Sequence, residues 1–239
     1  DLSIAAPACS EVGAHPVSCY PGDNDTLDYW DGNDGVLVNG ATFDAGIVGP
    51  AFSFAGNNHV EVPDAANLRF GLNSPMTVEL WAFRTGSGGV MHLLGKRDGC
   101  GLSNFYQMAF DGGGLAFGGG GSGISAGEQL PLYRWTHLAA TLDGATFNFY
   151  INGELKGTST GQLSNANFAP LEIGNSGTCA GFVGLIDEVA IYGRALSQDE
   201  IIETINPGNP GASGSQITGR KFFDVDSDGV AEPGEPGLH

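Results

Sequence analysis

The sequence predicts an all-β protein folded as a two-sheet antiparallel sandwich, and three observations carry that reading. Glycine supplies 40 of 239 residues, or 17%, against a usual share of about 7%. Blocks of the helix formers Ala, Leu, Glu and Lys are missing. From about residue 35 to 195, short β-prone runs alternate with glycine or Asn/Asp-Gly turns. Nine or more such runs over some 190 residues suit two packed sheets better than a small barrel. Hydrophobic residues at 41% and aromatics at 10% leave enough apolar material for a core, so disorder is not expected.

Residues 1 to about 20 read as irregular, with Pro7 and Pro16 inside them and Pro21 just after. The clearest strands are Ala51–Phe54, His59–Val62, Met76–Phe83, Val90–Leu94, Tyr106–Phe110, Trp135–Leu142, Phe147–Ile151, Leu171–Ile173 and Leu185–Tyr192. Asp143-Gly144 separates Trp135–Leu142 from Phe147–Ile151, and Asn152-Gly153 returns that strand into Glu154–Gly157. Both dipeptides accept the positive φ that tight hairpins need. Phe147, Phe149 and Ile151 alternate with Asn148 and Tyr150, so one face is core and the other wetter. One short C-terminal helix is expected over Gln198–Ile205: Ser197 and Glu200 form a capping box, and Asn206-Pro207-Gly208 ends it. The Gly/Pro/Ser-rich stretch 208–216 reads as a linker after a domain spanning 1–207. Residues 217–239 then start a new unit and stop before it could bury a core.

Acidic residues outnumber basic ones 27 to 9, for a formal charge of −18. That charge repels phosphate, so nucleic acid is excluded as a partner, and an anionic membrane surface is disfavoured. No run of ~18 apolar residues is present to insert into a membrane. The chain begins at Asp1 without a signal-like segment and reads as a mature or trimmed form. The cysteines, Cys9, Cys19, Cys100 and Cys179, lack zinc-site spacing. Their even number in an acidic chain points to two disulfides in an oxidising compartment, hence a secreted or cell-surface protein. Cys100 follows one strand and Cys179 precedes another, in loops a sandwich can join. The expected bridges are therefore Cys100–Cys179 and a local Cys9–Cys19.

Gly181–Ile201 (GFVGLIDEVAIYGRALSQDEI) resembles the closing strand and helix of the laminin-G-like, concanavalin A-like jelly-roll family. Other pieces expected of that family follow in order. They are Gly32–Phe43 as the opening loop and strand, Gly49–Asn57 with Val60–Pro63 as the next pair, then Thr77–Trp81, Arg134–Ala139 and Tyr150–Glu154. The resemblance covers about residues 15–205. It implies a jelly-roll sandwich, a family rich in non-catalytic binding and adhesion modules, and calcium at a rim. By that resemblance Asp187 would ligate Ca2+ with its side chain and its own carbonyl, joined by the Asp31/Asn33 loop and the Gly56-Asn57 turn. A bland alternative is that Asp187 caps loop amides. The tail Gly219–Gly237 resembles the first strand and calcium loop of the B-type repeat of bacterial serine-aspartate-repeat surface adhesins, here truncated.

The tail also carries its own chemistry. Asp224, Asp226, Asp228, Val230 and Glu235 satisfy the D-x-D-x-D-G-x5-E spacing, in which carboxylates and one carbonyl surround a hard cation. The flanks are not helical, so this is an EF-hand-like loop outside an EF-hand. Trp81 and Trp135 lie on strands with apolar neighbours and are expected in the core, whereas Trp30 is a candidate sugar-stacking ring. The histidines are scattered without metal spacing, and His137 reads as structural. Gly118–Gly121 has no P-loop Lys-Ser/Thr after it, and no G-x-S-x-G occurs. Glycosidase chemistry needs paired carboxylates. Jelly-roll glucanases resembling this fold place them on one E-x-D-x-x-E strand, whereas here Glu79 stands alone and Asp187-Glu188 are adjacent. The expectation is a non-catalytic, calcium-binding module of a larger surface protein that binds extracellular glycan or a protein partner. The alternative is a structural block that self-associates into a layer, sheath or filament, with a glycoside hydrolase behind both.

Overall fold

The computed structural model describes residues 15–72, 74–100, 105–111 and 114–205. In chain order the strands are β1 (Ser18–Tyr20), β2 (Val36–Val38), β3 (Thr42–Ala45), β4 (Pro50–Ala55), β5 (His59–Val62), β6 (Met76–Arg84), β7 (Met91–Lys96), β8 (Tyr106–Asp111), β9 (Gly114–Gly119), β10 (Ser122–Ser125), β11 (Trp135–Asp143), β12 (Thr146–Ile151), β13 (Glu154–Thr160), β14 (Leu171–Ile173) and β15 (Val183–Tyr192), followed by helix α1 (Gln198–Ile205). They form two antiparallel sheets. The eight-stranded sheet runs β13-β12-β11-β6-β15-β4-β3, with β1 paired to β15 beyond the end of β4. The seven-stranded sheet runs β10-β9-β8-β7-β14-β5-β2.

The pleat explains the core. Alternate residues Met76, Val78, Leu80 and Ala82 of β6, Leu138, Ala140 and Leu142 of β11, and Phe147, Phe149 and Ile151 of β12 point between the sheets. Val60, Val62, Met108, Phe110, Leu171 and Ile173 meet them from the other side. On β15 the inward residues are Ile186, Val189 and Ile191, so the alternation slips once. The slip is a β-bulge against β6 between Asp187 and Ala190, with Glu188 at φ +54°.

A smaller cluster lies on the outer face of the eight-stranded sheet, where Cys19, Ala139, Tyr150, Ala190 and Tyr192 pack with Leu196 and with Ile201 of α1. The helix starts at the expected capping box: the Glu200 amide donates to Ser197 Oγ at 3.3 Å and the Ser197 amide to Glu200 Oε2 at 2.7 Å. Of the expected turns, Asn152 (φ +51°) and Gly153 (φ +78°) close β12 onto β13 as a type I′ pair. At the other hairpin the last pair is Asp143 with Thr146, which moves the two-residue loop to Gly144-Ala145. Residues 18–20, expected to be irregular, form β1, and glycine-rich 114–125 holds β9 and β10. Both were hidden by proline or glycine content, and pairing to β15 and β8 overrides it. The linker 208–216 and the tail lie outside the described residues.

Candidate functional site

Cross-strand registers place three rows on the outer face of the eight-stranded sheet. Trp135, Phe83 and Leu185 are successive partners, then His137, Trp81 and Asp187, then Ala139, Glu79 and Ala190. Directly opposed residues share a face, with Cβ atoms about 5 Å apart. The first row and Trp81 of the second are half-buried, His137 and Asp187 are buried, and the third row lies under α1.

The first two rows carry the rings. The Phe83 and Trp135 rings lie 5.4 Å apart and Phe83 and Tyr133 6.5 Å, while Trp81 meets His137 edge-on at 5.2 Å. Tyr133 is 68% exposed, and Trp81, Phe83 and Trp135 are half-buried. This corrects the expectation that Trp81 and Trp135 lie in the core. Along β6 the wholly apolar set Met76, Val78, Leu80 and Ala82 alternates with the mixed set Thr77, Glu79, Trp81 and Phe83, so the period of two already marks the indole-bearing face as the wetter one, and the apolar neighbours of the rings are the wrong guide. Trp30, which the sequence offers as a sugar-stacking ring or equally as a hydrophobic plug, stacks on His15 with centroids 4.6 Å apart, which covers one of its faces.

Beside Trp81, the bulge turns Asp187 beneath the loop of residues 45–49. Its Oδ2 accepts the Ile47 amide at 2.8 Å and the Val48 amide at 3.2 Å. Oδ1 is buried without a hydrogen-bond partner. Burial raises Asp187 to about 7 despite those amides, and the nearby Asp23 charge adds to the rise. Gly46 is required here, since a Cβ would strike Asp187 Oδ2 and come within 2.9 Å of Gly49 O. A Cβ on Gly49 would strike Asp23 Oδ1 in the same way. An orphaned buried carboxylate oxygen, a second carboxylate and a glycine-walled loop fit a hard cation.

The other residues expected at that ion are placed elsewhere. Asn33 donates through Nδ2 to Ser18 Oγ at 2.8 Å and to Asp28 Oδ2 at 3.1 Å, and Asp31 accepts from Asn67 at 3.1 Å. Ser18 pairs with Ile191, four positions along β15 from Asp187. Gly56 and Asn57 sit at the opposite end, where Ala55 pairs with Val183 and the missing Gly56 Cβ faces the Val183 side chain. Strand rise of about 3.3 Å per residue separates each group from Asp187. Asp28, not singled out from sequence, organises the opening loop by accepting from Ser18 Oγ and from the amides of Cys19, Trp30 and Asn33. Asp224, Asp226, Asp228, Val230 and Glu235 lie outside the described residues.

Cys100 and Cys179 are bridged across 79 residues. Cys19 is also disulfide-bonded, and its expected partner Cys9 lies outside the described residues.

The third row hides a group that sequence reading passed over. Glu79 is buried, accepting from Tyr192 Oη at 3.1 Å and Thr204 Oγ1 at 3.0 Å, with His137 Nε2 at 3.6 Å. Burial raises Glu79 to about 7 and lowers His137 to about 3. A carboxyl raised in the fold stabilises it fully below the ordinary value, and that stability is lost as pH rises through about 7. The depressed His137 acts oppositely, losing stability as pH falls from its ordinary value towards 3. Replacing Glu79 with Gln should therefore flatten the fall in stability between pH 5 and 8, by up to roughly 3 kcal/mol. Urea melts of both proteins at the two pH values check this; equal slopes refute it. Both members of the pair are buried, and Thr204 of α1 covers Glu79.

Two antiparallel sheets packed face to face, with one short helix on the outer face of the larger, define the concanavalin A-like class of β-sandwich. The family model of the concanavalin A-like lectin/glucanase superfamily matches residues 54–202, and the chain belongs to that superfamily. No curated protein sequence matches it significantly. Among solved structures, it is similar to domain 4 of AbnA, a GH43 extracellular arabinanase from Geobacillus stearothermophilus, in complex with arabinotriose. That match has TM-score 0.67 and 22% identity, covering 79% of this chain and 97% of that one. It is also similar to the botulinum neurotoxin serotype D ligand binding domain in complex with N-acetylneuraminic acid, with TM-score 0.58 and 14% identity, covering 84% of this chain and 51% of that one. A Trypanosoma rangeli sialidase mutant matches with TM-score 0.58 and 17% identity, covering 84% of this chain and 35% of that one. At these identities the likeness shows fold alone, and the set includes both enzymes and binding domains.

Proposed function

We propose that this chain is a non-catalytic, calcium-bearing recognition module of an extracellular protein, and that it binds glycan through the Trp81–Phe83–Trp135–Tyr133 row. The aromatic row carries the reading: partly exposed rings on a rigid sheet offer apolar faces to the C–H surface of a sugar. The glycan complexes of two structural neighbours support it. Calcium would be held by Asp187 and Asp23. There it would neutralise two carboxylates and fix the 45–49 loop beside Trp81. A second ion would be held by the carboxylates of the Asp224–Glu235 loop. The non-catalytic part of the reading rests on Glu79, which is buried beneath α1 instead of facing a cleft.

Covering about 60 Å² of ring with sugar is worth about 1.5 kcal/mol, roughly tenfold in affinity. On a glycan array, the wild type should bind a discrete set of oligosaccharides, and Trp135→Ala and Tyr133→Ala should each weaken that binding about tenfold with an unchanged circular dichroism spectrum. Absence of glycan binding, together with ordered polymers in the electron microscope, would turn the reading to a structural building block.

A further inference from the structure

A different cluster occupies the outer face of the seven-stranded sheet. Val60 and Val62 point into the core, so the pleat turns His59 and Glu61 outward together. β14 pairs with β5 so that Glu172 lies directly opposite Glu61. The side chains converge: one ligand atom from each of His59, Glu61 and Glu172 lies within 4.8 Å of the others. His59 Nε2 is 4.0 Å from Glu61 Oε2, too long for a hydrogen bond.

What marks the cluster is unmet bonding capacity. His59 is 8% exposed and neither of its ring nitrogens has a hydrogen-bond partner. Glu172 is 6% exposed and its Oε2 also has none. Buried polar groups are nearly always satisfied, and each exception asks for a missing partner. The three residues do not satisfy one another, since both His59 nitrogens and Glu172 Oε2 stay unpartnered although the side chains converge. One cation satisfies all three at once, and its two positive charges match the two carboxylates.

We infer that His59, Glu61 and Glu172 form a binding site for a divalent transition-metal ion of the zinc class. An imidazole in the donor set argues against calcium, which takes oxygen ligands, and for zinc and its neighbours. Bonds of about 2.0–2.2 Å put tetrahedral ligands about 3.3 Å apart, so the three atoms need to close by no more than about 1.5 Å, within reach of two glutamate side chains. The backbones beneath them are held by the β5–β14 ladder. The Glu61 side chain is 43% exposed, which leaves the remaining coordination position open to water. The site lies on the opposite sheet from the aromatic row, and its test is independent of glycan binding.

Isothermal titration of the full chain with Zn2+ in excess calcium tests it. The wild type should bind one equivalent tightly and melt at a higher temperature with zinc, and Co2+ in its place should develop a visible d–d spectrum. His59→Gln and Glu172→Gln should each lower the zinc affinity at least about tenfold, the cost known for losing even an outer-shell contact. Should either buried variant fail to fold, Glu61→Gln, at the exposed edge, carries the same expectation. Absence of zinc binding by the wild type, or zinc binding kept at wild-type affinity in the folded variants, would overturn the site. Competition by calcium for the same equivalent would overturn its assignment to a transition metal.

Discussion

Reduction of the Cys100–Cys179 bridge is expected to lower the melting temperature by roughly 10–15 °C, the largest single effect foreseen here. The bridge closes a loop with a sequence separation of 79. Removing that constraint from the unfolded chain costs about 4–5 kcal/mol in the chain-entropy model. The bridge also ties the segment after β7 to the segment before β15, and the Cys100 amide donates to Thr178 Oγ1 at 3.2 Å alongside it. A Cys100→Ser, Cys179→Ser double variant should therefore unfold earlier yet keep its β spectrum at low temperature, because the two-sheet core does not depend on this loop. Calorimetry of the variant decides the matter; a midpoint within a degree or two of the wild type would show that the bridge constrains little.

Chelation of the proposed calcium is expected to have the second large effect. An ion bound only by the folded state adds RT ln(1 + [L]/Kd), roughly 2.7 kcal/mol at a hundredfold excess over Kd, or about 5–10 °C in a domain of this size. The physical origin is Asp187, whose Oδ1 is buried without a partner and whose burial raises it to about 7. Without a cation, that oxygen is left to protonate or to carry an uncompensated charge. Asp187→Asn retains an oxygen for the Ile47 and Val48 amides while removing the charge. The variant should fold and its melting should no longer respond to chelator. A wild-type midpoint indifferent to exhaustive chelation would refute calcium in the sandwich. A response that survives Asp187→Asn would move the ion to the Asp224–Glu235 loop.

The placement of the rings shows where sequence reasoning stops. MTVELWAFR on β6 puts Met76, Val78, Leu80 and Ala82 on one face and Thr77, Glu79, Trp81 and Phe83 on the other, so the polar residues of the second set mark it as the wetter face, and the alternation is legible although the bulk of the rings argues for core. What the sheets add is how far each ring is covered, since Trp81 and Phe83 end up half-buried. Glu79 looked isolated because its partners His137, Tyr192 and Thr204 are distant in sequence, and three separate elements deliver them. The His59–Glu61 pair shows an i, i+2 spacing that a strand places on one face, a signal legible in principle. Glu172 could not be attached to it without the β5–β14 register.

By itself the sequence determined the local grammar: the all-β class, the Asn152-Gly153 turn, the Ser197/Glu200 cap and the alternation that fills the core. These depend on φ preferences, hydrogen-bond reach and side-chain period, which act within a few residues and leave their mark in composition and spacing. Tertiary structure alone decided which oxygen of Asp187 lacks a partner, and that Asp23 and the 45–49 loop are its neighbours in place of Asp31, Asn33, Gly56 and Asn57. The reason is that registry between strands far apart in the chain, and a one-residue bulge at Glu188, set those positions. A single bulge shifts every later side chain on its strand relative to the partner, and nothing in the local pattern around Asp187-Glu188 announces it.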